Sequence, residues 1–198
     1  MNFWDKVAGI YDLTQAINGK VKCEMAHMTA ELIPEGARVL DTAAGTGALT
    51  LAASPKATEV VCTDLSLPML DKAKAKAKAK GADNIRFEAR NIFDLADEDE
   101  SYDIVMAGNV LHLLNDPERA VKELARVTKK GGLLILPTFM LGKRNDLIQL
   151  YKTVGFDPAT NYSPRKYRSM LEGCNVGQVK AKLIKGIIPC CFAVIKRT

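Results

Sequence analysis

The chain has 198 residues, 47% of them hydrophobic, and a formal net charge of +5, a size and balance that suit one domain around one sizeable core. No apolar run reaches the roughly 20 residues that a bilayer span requires, and the first residues lack the basic start and apolar stretch of a secretion signal, so a soluble cytoplasmic protein is expected. Five cysteines without CxxC spacing and only two histidines argue against a disulfide framework and against a metal site, and predict reduced thiols.

Residues 3–17 and 20–33 have the periodicity of two helices ahead of the first strand. In the second, Val21, Met25, Met28 and Leu32 recur at helical spacing and predict a core-facing stripe. The run Val39-Leu40-Asp41-Thr42-Ala43-Ala44-Gly45-Thr46-Gly47 then reads as a buried strand, a tight turn and a helix start, the place where an open α/β sheet puts its ligand. Gly45 and Gly47 let the backbone turn and approach a ligand with no Cβ in the way. A dinucleotide fingerprint asks for a third glycine three residues after the second, where this chain has Thr50. Asp41, at the strand tip, would repel a pyrophosphate resting on the next helix but attract a cationic ligand.

Glu59-Val60-Val61-Cys62-Thr63-Asp64 is a second apolar run ending in a carboxylate. Its distance from the glycine loop suits an acid that accepts hydrogen bonds from ribose hydroxyls. Ser66 can cap the following helix, with Pro68 in its first turn. The low-complexity run over 72–80 alternates lysine and alanine with period two, yet consists of strong helix formers. It predicts a helix with Leu70, Ala73 and Ala77 on the buried face and the lysines in solvent. No aromatics are interleaved for base stacking, so nucleic acid is not the expected partner.

Residues 84–89 and 102–107 predict a third and a fourth strand. Asn91 leaves the third, and Gly108-Asn109-Val110-Leu111-His112 leaves the fourth. His112 is either a base near neutral pH or a packed histidine. Asp116-Pro117-Glu118 opens a helix with Ala120, Val121, Leu124 and Val127 facing inward, which Lys130-Gly131-Gly132 ends. Residues 133–136 predict a fifth strand, with 137–141 at the active edge and Phe139 as a pocket wall. Helices over 146–154 and 164–173 precede a hairpin-like strand pair over 178–185 and 190–196. In the last of these, Cys190 and Cys191 must point to opposite faces.

The loop over residues 41–47 resembles motif I of the class I S-adenosylmethionine-dependent methyltransferases, with Ala43 where the family usually has its first glycine. Asp64-Leu65-Ser66 with Met69-Leu70 is similar to the family's D-x-S-x-x-M-L run. The passage through Gly131-Gly132 is similar to E-x-x-R-V-L-K-P-G-G-x-L, with Lys130 in place of proline. The opening Phe3-Trp4-Asp5-Lys6-Val7-Ala8-Gly9-Ile10-Tyr11-Asp12 resembles the F-D-x-x-A-x-x-Y-D start of the small-molecule methyltransferases of ubiquinone and menaquinone biosynthesis.

This resemblance implies a Rossmann-like doubly wound α/β sheet, mostly parallel with an antiparallel C-terminal strand and helices on both faces. A single domain over 1–198 is implied, with 1–33 a helical cover and 37–198 the core. The implied cofactor is S-adenosylmethionine, leaving as S-adenosylhomocysteine, and no metal. Asp41, Ala43, Gly45 and Gly47 would bind it from the first loop, Asp64 and Leu65 from the second strand tip. Asn91 stands where the family usually has an aspartate that accepts from the adenine amino group, with the Ile92 amide donating to the ring; a plain turn asparagine is the other reading. Gly108 and Asn109 complete the cofactor set with Tyr11, which is either a lid residue or a packing aromatic. Tyr11, Asn109 and His112 are the candidates for a catalytic role.

Enzymes of this family that methylate base amines or glutamine amides carry D/N-P-P-Y/F where this chain has Ala107-Gly108-Asn109-Val110, which implies a small-molecule acceptor. Clustered cysteines serve some arsenite methyltransferases, and Cys174 beside Cys190 and Cys191 would be the counterpart here, against buried cysteine as a small hydrophobe. The alternatives are a non-catalytic S-adenosylmethionine-binding sensor or partner protein and, third, a nicotinamide-dependent oxidoreductase, against which Asp41 and Thr50 both argue.

Overall fold

The computed structural model describes residues 18–140 and 159–198. The helices expected over 3–17 and 146–154, and Tyr11 with them, lie outside the described residues. Seven strands, β1 (Ala37–Thr42), β2 (Ala57–Asp64), β3 (Ile85–Ala89), β4 (Tyr102–Met106), β5 (Thr128–Phe139), β6 (Gly177–Ile184) and β7 (Cys190–Arg197), form one sheet in the order β3-β2-β1-β4-β5-β7-β6. β1 pairs in parallel with β2 and β4, β2 with β3, and β4 with β5. β7 lies antiparallel between β5 and β6, the antiparallel C-terminal strand that the sequence implied. The strand order reverses between β1 and β4, so a crevice opens there at the carboxyl ends of the strands.

Helices α1 (Gly19–Leu32), α2 (Ala48–Ala53), α3 (Leu67–Ala79), α4 (Pro117–Val127) and α5 (Pro164–Gly173) flank the sheet, with a 3₁₀ turn at Leu111–Leu113. Successive strand residues feed opposite faces. Val39, Val60, Ile104 and Ile135 pack beneath α1 and α2, whereas Leu40, Val61, Val105 and Leu134 pack beneath α4 and α5. Both faces are covered, which is why these strands read as continuous apolar runs rather than alternating ones. Tyr167 of α5 reaches into the sheet, its hydroxyl donating to the Leu136 carbonyl at 2.9 Å and accepting from Thr138 Oγ1 at 3.1 Å.

Two boundaries differ from the sequence reading. α4 ends at Val127, and β5 begins at Thr128 instead of after Gly132. The glycines do not stop a helix; Gly131, at φ 76°, sits inside β5 where the register to β4 shifts between Tyr102 and Ile104, a strand irregularity that glycine accommodates. On α1 the buried stripe runs Val21, Met25, Thr29 and then Ile33, while Met28 and Leu32 are only half-buried. Thr29 fits inside because its hydroxyl donates to the Met25 carbonyl at 2.9 Å, so no polar group is stranded. α1 lies on the sheet face through this stripe, and the preceding Asn18 reaches the strand-tip edge, donating from Nδ2 to the Ile188 carbonyl at 2.7 Å.

The lysine-rich run is helical, with Leu70, Ala73 and Ala77 buried as the spacing required. All five cysteines are free thiols, Cys23 exposed and the others buried. Cys190 packs in the cluster with Met25, and Cys191 in the opposite one with Cys174, so the three sulfurs do not converge on one ion.

Candidate functional site

The β1 tip and the loop after it form the centre of the site. Ala43 and Gly45 take positive φ, at 49° and 55°. Alanine tolerates this region at a cost of about 1–2 kcal/mol; the chain holds Ala43 there by fixing the next residue, whose amide donates to the Thr63 carbonyl at 2.9 Å. Gly47, at φ 78°, starts α2, and a Cβ on it would stand 3.0 Å from Ala73 Cβ of α3. The loop is thus pressed between its own helix and the neighbouring one.

Asp41 lies under this loop and is only 1% exposed. Its Oδ2 accepts from the Thr50 hydroxyl at 2.6 Å, while Oδ1 is buried with no hydrogen-bond partner among the described residues. Burial pushes the carboxyl up to about 7; bonds from Thr50 oppose this, and the charge of Asp64 adds to it. A buried carboxylate oxygen left bare beside a ligand crevice is matched by a cation.

Asp64 binds two strand tips together. Its Oδ2 accepts from the Gly45 amide at 2.8 Å and its Oδ1 from the Ser66 amide at 2.8 Å. Leu65, next along, is 61% exposed and offers an apolar surface on the rim. The amide of Arg90 donates to the Asp64 carbonyl at 3.4 Å, which brings the turn after β3 alongside. There Asn91 uses its side-chain oxygen within the turn, accepting from the Phe93 amide at 3.0 Å. Ile92 is buried behind it.

Across the switch point, a Cβ on Gly108 would meet Leu49 Cδ1 of α2 at 2.8 Å, so the end of β4 packs directly against that helix. Asn109, at φ 57°, stitches β4 to β5: its amide donates to the Pro137 carbonyl at 2.8 Å and its Oδ1 accepts from the Phe139 amide at 2.9 Å. That side chain positions the strand ends. His112 is 5% exposed, and burial lowers its pKa to about 4. Burial therefore favours the neutral form of the imidazole.

Asp41, Ala43, Gly45, Gly47, Asp64, Leu65, Asn91 and Ile92 thus gather at the carboxyl ends of β1, β2 and β3, with Gly108 and Asn109 at the end of β4. Sequence reasoning missed Thr50, which registered only as an absent glycine, and Arg90, whose one signal is a basic residue directly after an apolar strand. A buried carboxylate at the first strand tip and an acid at the second fit a nucleoside that carries a cationic arm. Among the described residues, no group of His, Cys, Asp and Glu stands close enough to hold a metal ion, and no helix is long and apolar enough to cross a membrane.

Comparison with known proteins agrees with this arrangement. A methyltransferase-domain family model matches residues 40–136. The chain is similar to a ubiquinone/menaquinone biosynthesis C-methyltransferase of Bdellovibrio bacteriovorus, with 32% identity over 146 residues, 70% of this chain and 60% of that one. It is also similar to a tRNA 5-carboxymethoxyuridine methyltransferase of Escherichia coli, with 33% identity over 57% of this chain and 44% of that one. The chain spans 39% to 60% of the length of the first curated relatives it matches. In fold it matches the structure of a complex between the Haloferax volcanii Trm112 methyltransferase activator and a methyltransferase, with a TM-score of 0.79, 18% identity and 98% of each chain covered.

Proposed function

We propose, from the match of a methyltransferase-domain family model to residues 40–136, that this chain transfers a methyl group from S-adenosylmethionine to a small-molecule acceptor. The observation that carries this reading is the pair of carboxylates at adjacent strand tips, Asp41 beneath the loop and Asp64 bonded to the Gly45 amide at 2.8 Å. Asp64 would hold the ribose hydroxyls, and Asp41, beneath the loop, would supply the negative charge that attracts the cationic arm. Leu65 supports one face of the adenine.

When bound, the sulfonium supplies an activated methyl and a neutral thioether leaving group. The chain's own task is then to hold the acceptor in line and to exclude water. Burial holds the His112 pKa below the ordinary imidazole value, and Asn109 is engaged in joining β4 to β5, so this reading assigns neither a part in proton removal. Acceptors that ionise by themselves, or that lose a proton to solvent after transfer, suit such a site.

A small-molecule acceptor is supported by Ala107-Gly108-Asn109-Val110, which cannot clamp a planar exocyclic nitrogen, and by the similarity to a quinone-pathway methyltransferase. The similarity to a tRNA methyltransferase makes RNA the competing acceptor. The test is radiolabelled methyl transfer to a panel of phenols, quinols, amines and thiols, run beside bulk tRNA. Methylation of a panel member is the expected result. Transfer to tRNA alone would overturn the small-molecule assignment, and cofactor binding without transfer to any acceptor would favour a sensor.

A further inference from the structure

The turn that would read the base is pinned from behind by a guanidinium. Arg90 follows β3 directly, and its Nε and Nη2 donate to Glu88 Oε2 at 2.8 and 2.6 Å. Its Nη1 donates to the Leu95 carbonyl at 3.1 Å and also to the carboxylate of Asp97. The other side of Leu95 is held as well, since its amide donates to Glu123 Oε1 of α4 at 3.1 Å. Asp97 in turn accepts from the Tyr102 hydroxyl at 2.9 Å. The residues Asn91, Ile92, Phe93 and Asp94 therefore span two fixed points, Arg90 and Leu95, and the side chain of Arg90 closes the ring between them. The Arg90 and Asp97 side chains are 16% and 11% exposed, so this pair is shielded from the screening that weakens surface pairs.

Resting on the S-adenosylmethionine reading, we propose that Arg90 is a positioning residue that sets the base selectivity of the cofactor site by fixing the turn over residues 91–94. The guanidinium touches no part of the ligand. It holds the turn's backbone beside Asp64, to whose carbonyl the Arg90 amide donates, where the turn would meet the adenine edge. With the clamp released, the turn samples several heights, and hydrogen bonds specific to adenine are lost, while ribose and amino-acid contacts stay.

The test compares binding of S-adenosylhomocysteine and S-inosylhomocysteine, which differ in the 6-amino group and ring protonation, to wild type, R90M, R90K and D97N. Wild type should prefer the adenine form at least tenfold. R90M should lower affinity for S-adenosylhomocysteine about tenfold and leave S-inosylhomocysteine nearly unchanged, so the preference collapses. R90K, which keeps the charge but loses the fork, should recover it only in part. D97N removes one anchor with little change of shape and should lower the preference even if R90M fails to fold. A preference that survives in the folded variants, or an equal loss for both ligands, overturns the role of Arg90. Wild type that binds neither ligand overturns the cofactor reading itself, and this inference with it.

Discussion

Asp41 and His112 are buried ionisable groups with opposite displacements, and they pull stability in opposite directions with pH. The Asp41 carboxyl is raised to about 7 in the folded chain, against roughly 3.9 unfolded. Between these values the folded state holds a proton that the unfolded state has lost, so stability falls as pH rises from about 4 to about 7. His112 is lowered to about 4, against roughly 6.5 unfolded. Here the unfolded state holds the extra proton, and stability rises over about 4 to 6.5. The two slopes oppose each other in wild type. Urea titrations from pH 4 to 7 should show D41N gaining stability as pH rises, with His112 unopposed, and H112N losing it, with Asp41 unopposed. Parallel profiles for all three proteins would place both groups in water. At the second strand tip, Asp64→Ala should weaken S-adenosylhomocysteine binding by roughly 1.5–3 kcal/mol, the loss of charge-assisted bonds, in a chain that still folds. Unchanged affinity would remove Asp64 from the site.

The glycine loop depends on how closely α2 and α3 approach it. Gly47→Ala puts a Cβ 3.0 Å from Ala73 at φ 78°, so a loss of roughly 1–2 kcal/mol from the left-handed backbone is expected, with weaker cofactor binding. Thermal melts with and without ligand check both. A melting temperature equal to wild type would mean that the loop has slack. The outer side of α3 asks nothing of the site. Replacing Lys74, Lys78 and Lys80, all exposed, with glutamine should leave stability and methyl transfer unchanged; a large, salt-dependent loss of activity would instead reveal an RNA acceptor.

Helix and strand identities were legible wherever apolar spacing was unambiguous. The spacing placed Leu70, Ala73 and Ala77 inward and put Cys190 and Cys191 on opposite faces. It failed at Lys130-Gly131-Gly132, because the same glycines serve as a helix stop or as a strand bulge. Which one they are depends on the β4 neighbour, Asp103, whose carbonyl lies 2.6 Å from where a Gly132 Cβ would stand. The stripe Val21, Met25, Met28 and Leu32 on α1 does face the core, whereas Thr29 gave no apolar signal, since a hydroxyl satisfied by its own helix can occupy a core position.

At the scale of the whole molecule, the parallel strands, the antiparallel β7 and the switch point between β1 and β4 bring residues from four strand ends to one edge. The strand-tip acids and the glycines were readable from local pattern alone. The clamps behind them were not, because Thr50, Arg90 and Asp97 act through partners that only the folded chain supplies. The crevice, the buried Asp41 and the Gly45–Asp64 bond together imply a site for a nucleoside with a cationic arm. Ligand that binds the native state alone stabilises it by about 2.7 kcal/mol at a hundredfold excess over Kd, so S-adenosylhomocysteine should raise the melting temperature. The most direct measurement is calorimetric titration of the wild-type chain with S-adenosylmethionine, S-adenosylhomocysteine and NADH at one pH. One saturable site for each sulfur nucleoside, with no heat from NADH, is the predicted result; NADH binding with neither sulfur nucleoside bound would contradict it.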